Sequence, residues 1–374
     1  MKLITSNYFR DILNERRENM AKVYFTDLST KPSMSLLKKV LNLINKAGIE
    51  NIIEEGNMTA IKIHFGEYGN LAYVRPNYVR VIVDRVKELG GKPFVTDANT
   101  LYRGHRSDAV NHLETALLNG FAYQTIGAPV IIADGLRGSD EVKVPINEEY
   151  VKEAKIGSAV ALSDVVIAIT HFKGHEQTGF GGVIKNIGMG AASRAGKMEQ
   201  HSDSKPQYSQ KKCVSCKMCE RNCNYGAISV DPVIEIDYDK CVGCGQCIAM
   251  CNYGAIYPDF NTSGEGLCKK MAEYTKAALM NKKGLYISFI NNISPNCDCW
   301  PMNEPPIAPD IGIAVSIDPV ALDQACIDLV IDKVGHDPFK ETHPNTNWEY
   351  QLDYAEKIGL GSRKYKLEKL YLLK

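Results

Sequence analysis

Twelve cysteines stand in a chain of 374 residues, and eight of them fall in one stretch with strict spacing. Cys213–Ile228 reads CVSCKMCERNCNYGAI and Cys241–Ile256 reads CVGCGQCIAMCNYGAI, so each cysteine of the first copy recurs 28 residues later. Each copy is C-x2-C-x2-C-x3-C. Thiolates at that spacing suit a 4Fe–4S cubane. Two x2 steps wrap three sulfurs around one cluster while backbone amides point at its sulfides, and the fourth cysteine lies too far round and ligates the other cluster. Cys213, Cys216, Cys219 and Cys251 are therefore expected to hold one cluster, and Cys241, Cys244, Cys247 and Cys223 the other. Zinc on paired C-x2-C motifs is the competing metal. A strict four-cysteine unit repeated twice favours two 4Fe–4S clusters.

The repeat resembles bacterial two-cluster ferredoxins over roughly 55 residues. It departs from their pattern where Asn224 and Asn252 follow the fourth cysteines in place of Pro, a change that bears on the turn and the potential and removes no ligand. Two clusters in series point to electron transfer, tuned by burial and by hydrogen bonds to sulfur. They also staple a module too small to rely on its own core. The other cysteines say less. Cys297 and Cys299 form a C-x-C pair in NCDCWP, compatible with a metal site, a redox pair or plain reduced thiols, with Cys268 joining them only if the fold allows. Cys326, on an apolar helix, reads as core.

A second group of reactive residues lies in Thr170–Ser193, THFKGHEQTGFGGVIKNIGMGAAS. It follows the apolar run Val165–Thr170. Ligands of α/β folds bind at the carboxyl ends of strands, where glycines such as Gly181 and Gly182 let backbone approach a cofactor. His171, Lys173, His175 and Lys185 are thus expected at one strand-end crevice. His64–Gly69 (HFGEYG) and Asp97–Arg106 (DANTLYRGHR) are further segments of this kind, and five of the eight histidines (His64, His105, His171, His175, His201) lie in or near them. Taken singly, each histidine reads equally well as a hydrogen-bonded loop residue, and Lys185 as a solvated lysine. Neither a G-x-G-x-x-G after a strand nor a G-x4-G-K-[ST] loop occurs, which removes the common dinucleotide and nucleoside-triphosphate readings.

The elements that must position these residues alternate. Strands are expected at Ala60–Phe65, Lys92–Thr96, Pro129–Ala133, Val165–Thr170, Leu285–Ile290 and Ile311–Ser316. Helices are expected from Pro76 to Gly90-Gly91, where Val79, Ile82, Val83 and Val86 keep helical spacing, and over Asn111–Asn119, Leu267–Met280 and Pro319–Lys333. The alternation predicts an α/β fold, a mainly parallel sheet with helices on both faces, interrupted by a small α+β ferredoxin-like insert. The expected organisation is an N-terminal extension over 1–20, a discontinuous α/β domain over 21–205 and 261–374, and the two-cluster domain over 206–260. Met20 opens MAKVYFTDLS, a natural start for the first strand, and the preceding residues lack the apolar core of a signal peptide. Lys+Arg and Asp+Glu balance at 44 each, leaving no surplus for nucleic acid or an anionic membrane. No apolar run reaches the roughly 18 residues of a membrane span. Many cysteines without an export signal point to the cytoplasm.

Across nearly the whole chain from Ala21, the motifs HFKGHEQTGFGGVIKNIGMG, CDCWP and IGIAVSIDPVALDQACIDLV resemble the domain-of-unknown-function 362 proteins with an inserted ferredoxin module. That resemblance implies the architecture and the clusters but no reaction. His175-x3-Gly179-Phe180-x-Gly182-x2-Lys185 is also similar to the active-site segment of nickel-pincer lactate racemases. This second resemblance implies that Lys185 carries a metal cofactor, that His175 and His105 (in GHR) act as catalytic bases, that His201 ligates the metal, and that Arg75 binds a substrate carboxylate. Histidine suits both roles, since it titrates near neutral pH and binds borderline metals. A racemase moves a hydride out and back without net electrons, so two clusters favour net redox chemistry. The expectation is an iron–sulfur oxidoreductase or electron carrier with a soluble redox partner and a small-molecule substrate. The alternatives are a racemase-like enzyme on a small carboxylate and a non-catalytic maturation or scaffold protein.

Overall fold

The computed structural model describes residues 20–201, 205–258 and 263–370. The expected extension over 1–20 lies outside these, apart from Met20.

Eight strands form the central sheet: β1 (Ala21–Asp27), β2 (Met58–Ile63), β3 (Lys92–Asp97), β4 (Val130–Ile132), β5 (Val165–His171), β6 (Lys283–Ile290), β7 (Gly312–Ser316) and β8 (Tyr365–Lys369). Their order across the sheet is β8-β1-β7-β6-β5-β2-β3-β4. All neighbours pair in parallel except β7, which runs against both β1 and β6. The expected α/β class and mainly parallel sheet are present. The reversal of β7 and the edge strand β8 go beyond what the sequence indicated.

Strand β5 shows why this sequence makes a central strand. All seven of its residues are buried. Val165, Ile167 and Ile169 enter one apolar cluster, while Val166 and Ala168 enter the other, on the opposite face. The period of two, apolar on both faces, requires a layer of helices on each side. Helices Leu36–Lys46 and Pro76–Glu88 supply Val40, Leu43, Ile44, Val79, Ile82, Val83 and Val86 to the first cluster. Helices Gly264–Leu279 and Pro319–Val334 cover the second with Leu267, Met271, Ala325 and Val330, among others. Their starts are set by side-chain caps: Ser35 Oγ accepts from Lys38 N, and Asp318 accepts from Val320 N and Ala321 N ahead of a Pro at the first turn.

Four adjacent parallel strands, β6, β5, β2 and β3, therefore release their following segments at one end of the sheet. Those segments are Asn291–Cys299, the hairpin pairing Lys173–His175 with Gly179–Gly181, the His64–Gly69 loop, and the loop beyond Asp97. Between helix Arg194–His201 and helix Gly264–Leu279 lies the cysteine-rich unit. Gln207–Tyr208 pairs antiparallel with Ile256–Tyr257, and Ile228–Val230 with Ile234–Ile236. Each cysteine copy ends in a short helix, Met218–Arg221 or Gln246–Met250. The unit has its own apolar cluster, which also takes in Leu101 and Met198 of the α/β layer.

Candidate functional site

The cysteine-rich unit repeats its conformation as well as its sequence. Ser215 and Lys217 flank Cys216 with φ of +55° and +60°; in the second copy Gly243 and Gly245 flank Cys244 with +70° and +68°. Left-handed residues in such a turn aim successive backbone N–H groups inward, making a concavity for an anion or an iron–sulfur cluster. The two non-glycine residues accept a conformation that glycine adopts freely in the other copy. Ala227 N donates to Cys223 Sγ at 3.3 Å, and Ala255 N to Cys251 Sγ at 3.2 Å, the same bond in each copy.

Cys213, Cys216, Cys219 and Cys251 line one apolar pocket with Val230, Ile234 and Met250. The fold thus brings the last cysteine of the second copy to the first three of the first copy. Burial raises the Cys219 thiol, and its neighbours Cys251 and Cys213 add to this; burial raises Cys244 too, with Cys223 and Cys241 beside it. Sulfurs crowded so cannot all ionise unless positive charge lies among them, and iron would supply it. Among the described residues, groups of three or more His, Cys, Asp or Glu do not converge on a single ion position. A cubane spreads its thiolates over four separate irons, unlike a mononuclear tetrahedral site. The donor set fits the expected clusters.

At the strand ends, the polar side chains sort into two buried ion-pair groups and a reactive group above them. The first group centres on Asp97, at the end of β3. Its carboxylate meets Lys62 Nζ at 2.9 Å and Arg106 Nη1 at 3.3 Å, while Arg106 Nε reaches Glu67 at 3.1 Å. Burial would raise Asp97, but Lys62 and the neighbouring histidines hold it well below the usual carboxylate range. The second group centres on Asp298, between the two cysteines of Cys297-Asp298-Cys299. Asp298 accepts from His171 Nδ1 at 2.9 Å and pairs with Lys173 Nζ at 2.9 Å. Burial works against its charge, yet His171, Lys173 and His64 hold it low. His171 and Lys173 are therefore anchors for Asp298, and sequence spacing offers no hint of that partner.

Above this floor sits the reactive group. Lys185 Nζ donates to Cys297 Sγ at 3.2 Å, and Cys299 N donates to the same sulfur at 3.4 Å. His175 Nδ1 accepts from Gln177 N and Thr178 N at 3.2 Å each, which leaves the proton on Nε2, with Glu176 Oε2 3.9 Å away and Cys297 close enough to feel the ring. The hydrogen bond from Cys299, opposed by burial and helped by Lys185 and His175, holds the Cys297 thiol well below its ordinary range; Cys299 is pushed up in turn. Burial would lower Lys185, but Cys297, Cys299 and Glu176 keep its ammonium above the usual range. His201, at the end of helix Arg194–His201, is lowered to about 3 by burial, with Lys185 and His175 adding to the effect. It stands as a neutral imidazole, the form that binds a metal.

The hairpin bearing His175 docks on the loop bearing Cys297. Gly174 N donates to Ser294 O at 2.8 Å, and a Cβ on Gly174 would collide with the Pro295 carbonyl. Gly181 lies beside the Lys185 side chain, as a cofactor cradle requires. Gly182 has a different role. A Cβ there would collide with Asp323, whose carboxylate accepts from Val183 N at 2.7 Å and Ile184 N at 3.0 Å. Asp323, raised by burial to about 7, occupies the helix N-terminus that a cofactor anion would need. Arg75 and His105 are not brought to the group. Arg75 is exposed and lines a surface groove with Lys31 and Tyr78. His105 is exposed against the Tyr68 ring, its backbone N–H bonded to Glu67 Oε1 at 2.8 Å. Cys268 is buried in the core, with the Gln351 backbone beside it.

One helix joins the two regions. Arg194 packs on Gly245, next to Cys244, and Met198 enters the apolar cluster of Cys219 and Cys247. Lys197, on the same eight-residue helix, faces Asp134, Asp97 and Lys62, and His201 faces Lys185. Arg194 itself is buried, its Nη2 bonded to Ser107 O and its Nε to Arg137 O at 3.2 Å.

A family model described as a domain of unknown function, DUF362, matches residues 59–328. No curated protein matches. Among solved structures, the lactate racemase apoprotein from Thermoanaerobacterium thermosaccharolyticum is 12% identical with a TM-score of 0.37, over 74% of this chain and 52% of that one. A protein from Thermotoga maritima is 8% identical with a TM-score of 0.34, over 86% of this chain and 58% of its own. The chain thus spans a little over half the length of these structures. None of the helices among the described residues is long and apolar enough to cross a membrane.

Proposed function

For a chain that belongs to the DUF362 family, whose description assigns no reaction, we propose an iron–sulfur oxidoreductase in which the cysteine-rich insert exchanges electrons with the Lys185–His175–Cys297 site. Cys213, Cys216, Cys219 and Cys251 would hold one 4Fe–4S cluster, and Cys241, Cys244, Cys247 and Cys223 the other. The chemistry such clusters supply is one-electron transfer at low potential.

The observation that carries this reading is helix Arg194–His201. Arg194 in its first turn packs on Gly245 beside Cys244, Met198 joins the apolar cluster of Cys219 and Cys247, and His201 at its end lies near enough to Lys185 to be depressed by its charge. Two turns of helix rise only about 12 Å at 1.5 Å per residue, so the nearer cage and the buried site are one short element apart. The far side of the insert is open. Cys216 is exposed, and Lys211, Lys212 and Lys217 are exposed around it. A soluble one-electron carrier with an acidic face matches that edge. At the inner site, Lys185 supplies a fixed cation for an anionic substrate or intermediate, His175 a proton at Nε2, and Asp298 holds the cysteine turn in place. A reductive titration under anaerobic conditions tests the reading. Bleaching of visible absorbance with uptake of one electron per cluster supports it, and a chain that takes up no electrons contradicts it.

A second reading, a racemase-like enzyme on a small carboxylate, is favoured by the grouping of Lys185 and the buried His175 with His201, whose imidazole both depress. It requires a cofactor on Lys185, whose amine already donates to Cys297, and a carboxylate-binding arginine and second base nearer than Arg75 and His105 stand. An intact mass equal to the sequence mass, with Lys185 unmodified, removes it.

A further inference from the structure

Three of the cysteines outside the repeat are deeply buried, and they differ in a telling way. Cys268 and Cys326 sit in the main apolar cluster, where burial raises their thiols as expected for core residues. Cys297 is equally buried, yet its sulfur faces a lysine ammonium, a histidine ring, a backbone N–H and a second thiol. A sulfur that serves only as packing has no use for four polar partners. Holding the half-buried Lys185 ammonium beside it is also costly unless the charge is answered.

We propose that Cys297 and Cys299 form a redox-active dithiol–disulfide pair that stores two electrons at the Lys185 site. This rests on the electron-delivering role read for the insert. The geometry suits it. Trp300 N donates to Cys297 O at 3.1 Å, closing a turn over Cys297–Trp300, and inside it Cys299 N donates to Cys297 Sγ at 3.4 Å, which holds the first sulfur against the second cysteine. Asp298, between them, is held away from the sulfurs by His171 and Lys173, so the turn is fixed before and after the bond forms. Closing the bridge joins the two Sγ atoms, releasing two electrons and the one proton carried by Cys299. Opening it takes two electrons, delivered singly by a low-potential one-electron donor through the insert, and one proton. The Cys299 sulfur takes that proton, and the Cys297 sulfur stays as a thiolate on the Lys185 ammonium. The pair thus turns single-electron arrivals into a two-electron event, with one electron for each expected cluster.

The test uses anaerobically purified full-length protein with its iron content measured first. Exposure to a mild disulfide oxidant, followed by acid quench, alkylation and peptide mass analysis, should find Cys297 and Cys299 joined, two mass units lighter than the dithiol and protected from alkylation. Cys268 and Cys326 should stay reduced as internal controls. Reduced methyl viologen should bleach the clusters and reopen the bridge. Cys299→Ser should abolish the bridge while leaving the iron content unchanged. Lys185→Met should shift the dithiol–disulfide balance in a glutathione buffer at least tenfold toward the disulfide, because the cation stabilises the reduced form. In iron-loaded protein, a bridge that never forms, or one that persists while the clusters bleach, overturns this inference and leaves the iron–sulfur reading standing. Protein that never carries iron overturns the reading beneath both.

Discussion

Replacing Lys185 by Met removes the cation beside Cys297 and keeps most of the side chain's length. At 3.2 Å, unit charges attract by about 5 kcal/mol at an effective dielectric of 20. The net worth of a charge-assisted hydrogen bond is smaller, roughly 1.5–3 kcal/mol. At 1.36 kcal/mol per pKa unit, losing it raises Cys297 by about one to two units. The thiolate is the reactive form, so a low pKa places the rise of reactivity at low pH and the variant moves it upward. Alkylation of Cys297 by iodoacetamide, followed by peptide mass analysis over a pH series, reads the midpoint independently of how freely the probe enters. Wild-type protein should reach half-maximal rate below the ordinary thiol range, and Lys185→Met should reach it at least one unit higher. A midpoint that stays in place, or moves down, would refute the assignment of Lys185 as the partner of this sulfur.

Cys251→Ser and Cys219→Ser should deplete the same half of the iron and leave the same signal on reduction, because their sulfurs line one pocket. If Cys251→Ser instead matches Cys244→Ser, the cages are not interleaved. Gly174→Ala places a Cβ 2.7 Å from the Pro295 carbonyl carbon, and overpacking of that kind costs about 1–3 kcal/mol; a lowered Tm and a Cys297 midpoint shifted upward are expected, and an unchanged pair of values would mean that the hairpin does not seat on this loop. Exchanging Lys211, Lys212 and Lys217 for Glu should slow reduction by an acidic protein donor at low ionic strength and weaken its salt dependence. Reduction by a neutral viologen-type donor should be unaffected.

Periodicity located the α/β elements closely. Lys92–Thr96 was expected and Lys92–Asp97 is found; the helix from Pro76 was expected to stop at Gly90-Gly91 and ends at Glu88. Direction was not legible. Ile311–Ser316 reads as one more buried strand, and nothing in its apolar run distinguishes the antiparallel pairing that Gly312–Ser316 adopts. His171, Lys173, His175 and Lys185 could be singled out because they share a segment after a buried strand, and His201 only through the racemase resemblance. Their partners could not. Asp298 meets His171 and Lys173, and Asp323 meets the backbone of Val183 and Ile184, each from more than a hundred residues away, and a buried acid carries no local spacing signal. The C-x-C pair was visible as chemistry, but only the docking of the Gly174 hairpin on Pro295 brings Cys297 to Lys185. Gly182 illustrates the opposite error: the glycine suggests a ligand, and the space is filled by Asp323.

The proposed electron transfer requires two iron–sulfur clusters held across the halves of a duplicated unit. Iron and acid-labile sulfide, measured together on the chain purified without oxygen, address it most directly. About eight of each per chain is the expected result for two 4Fe–4S clusters. Zinc in place of iron, or iron without sulfide, would contradict it.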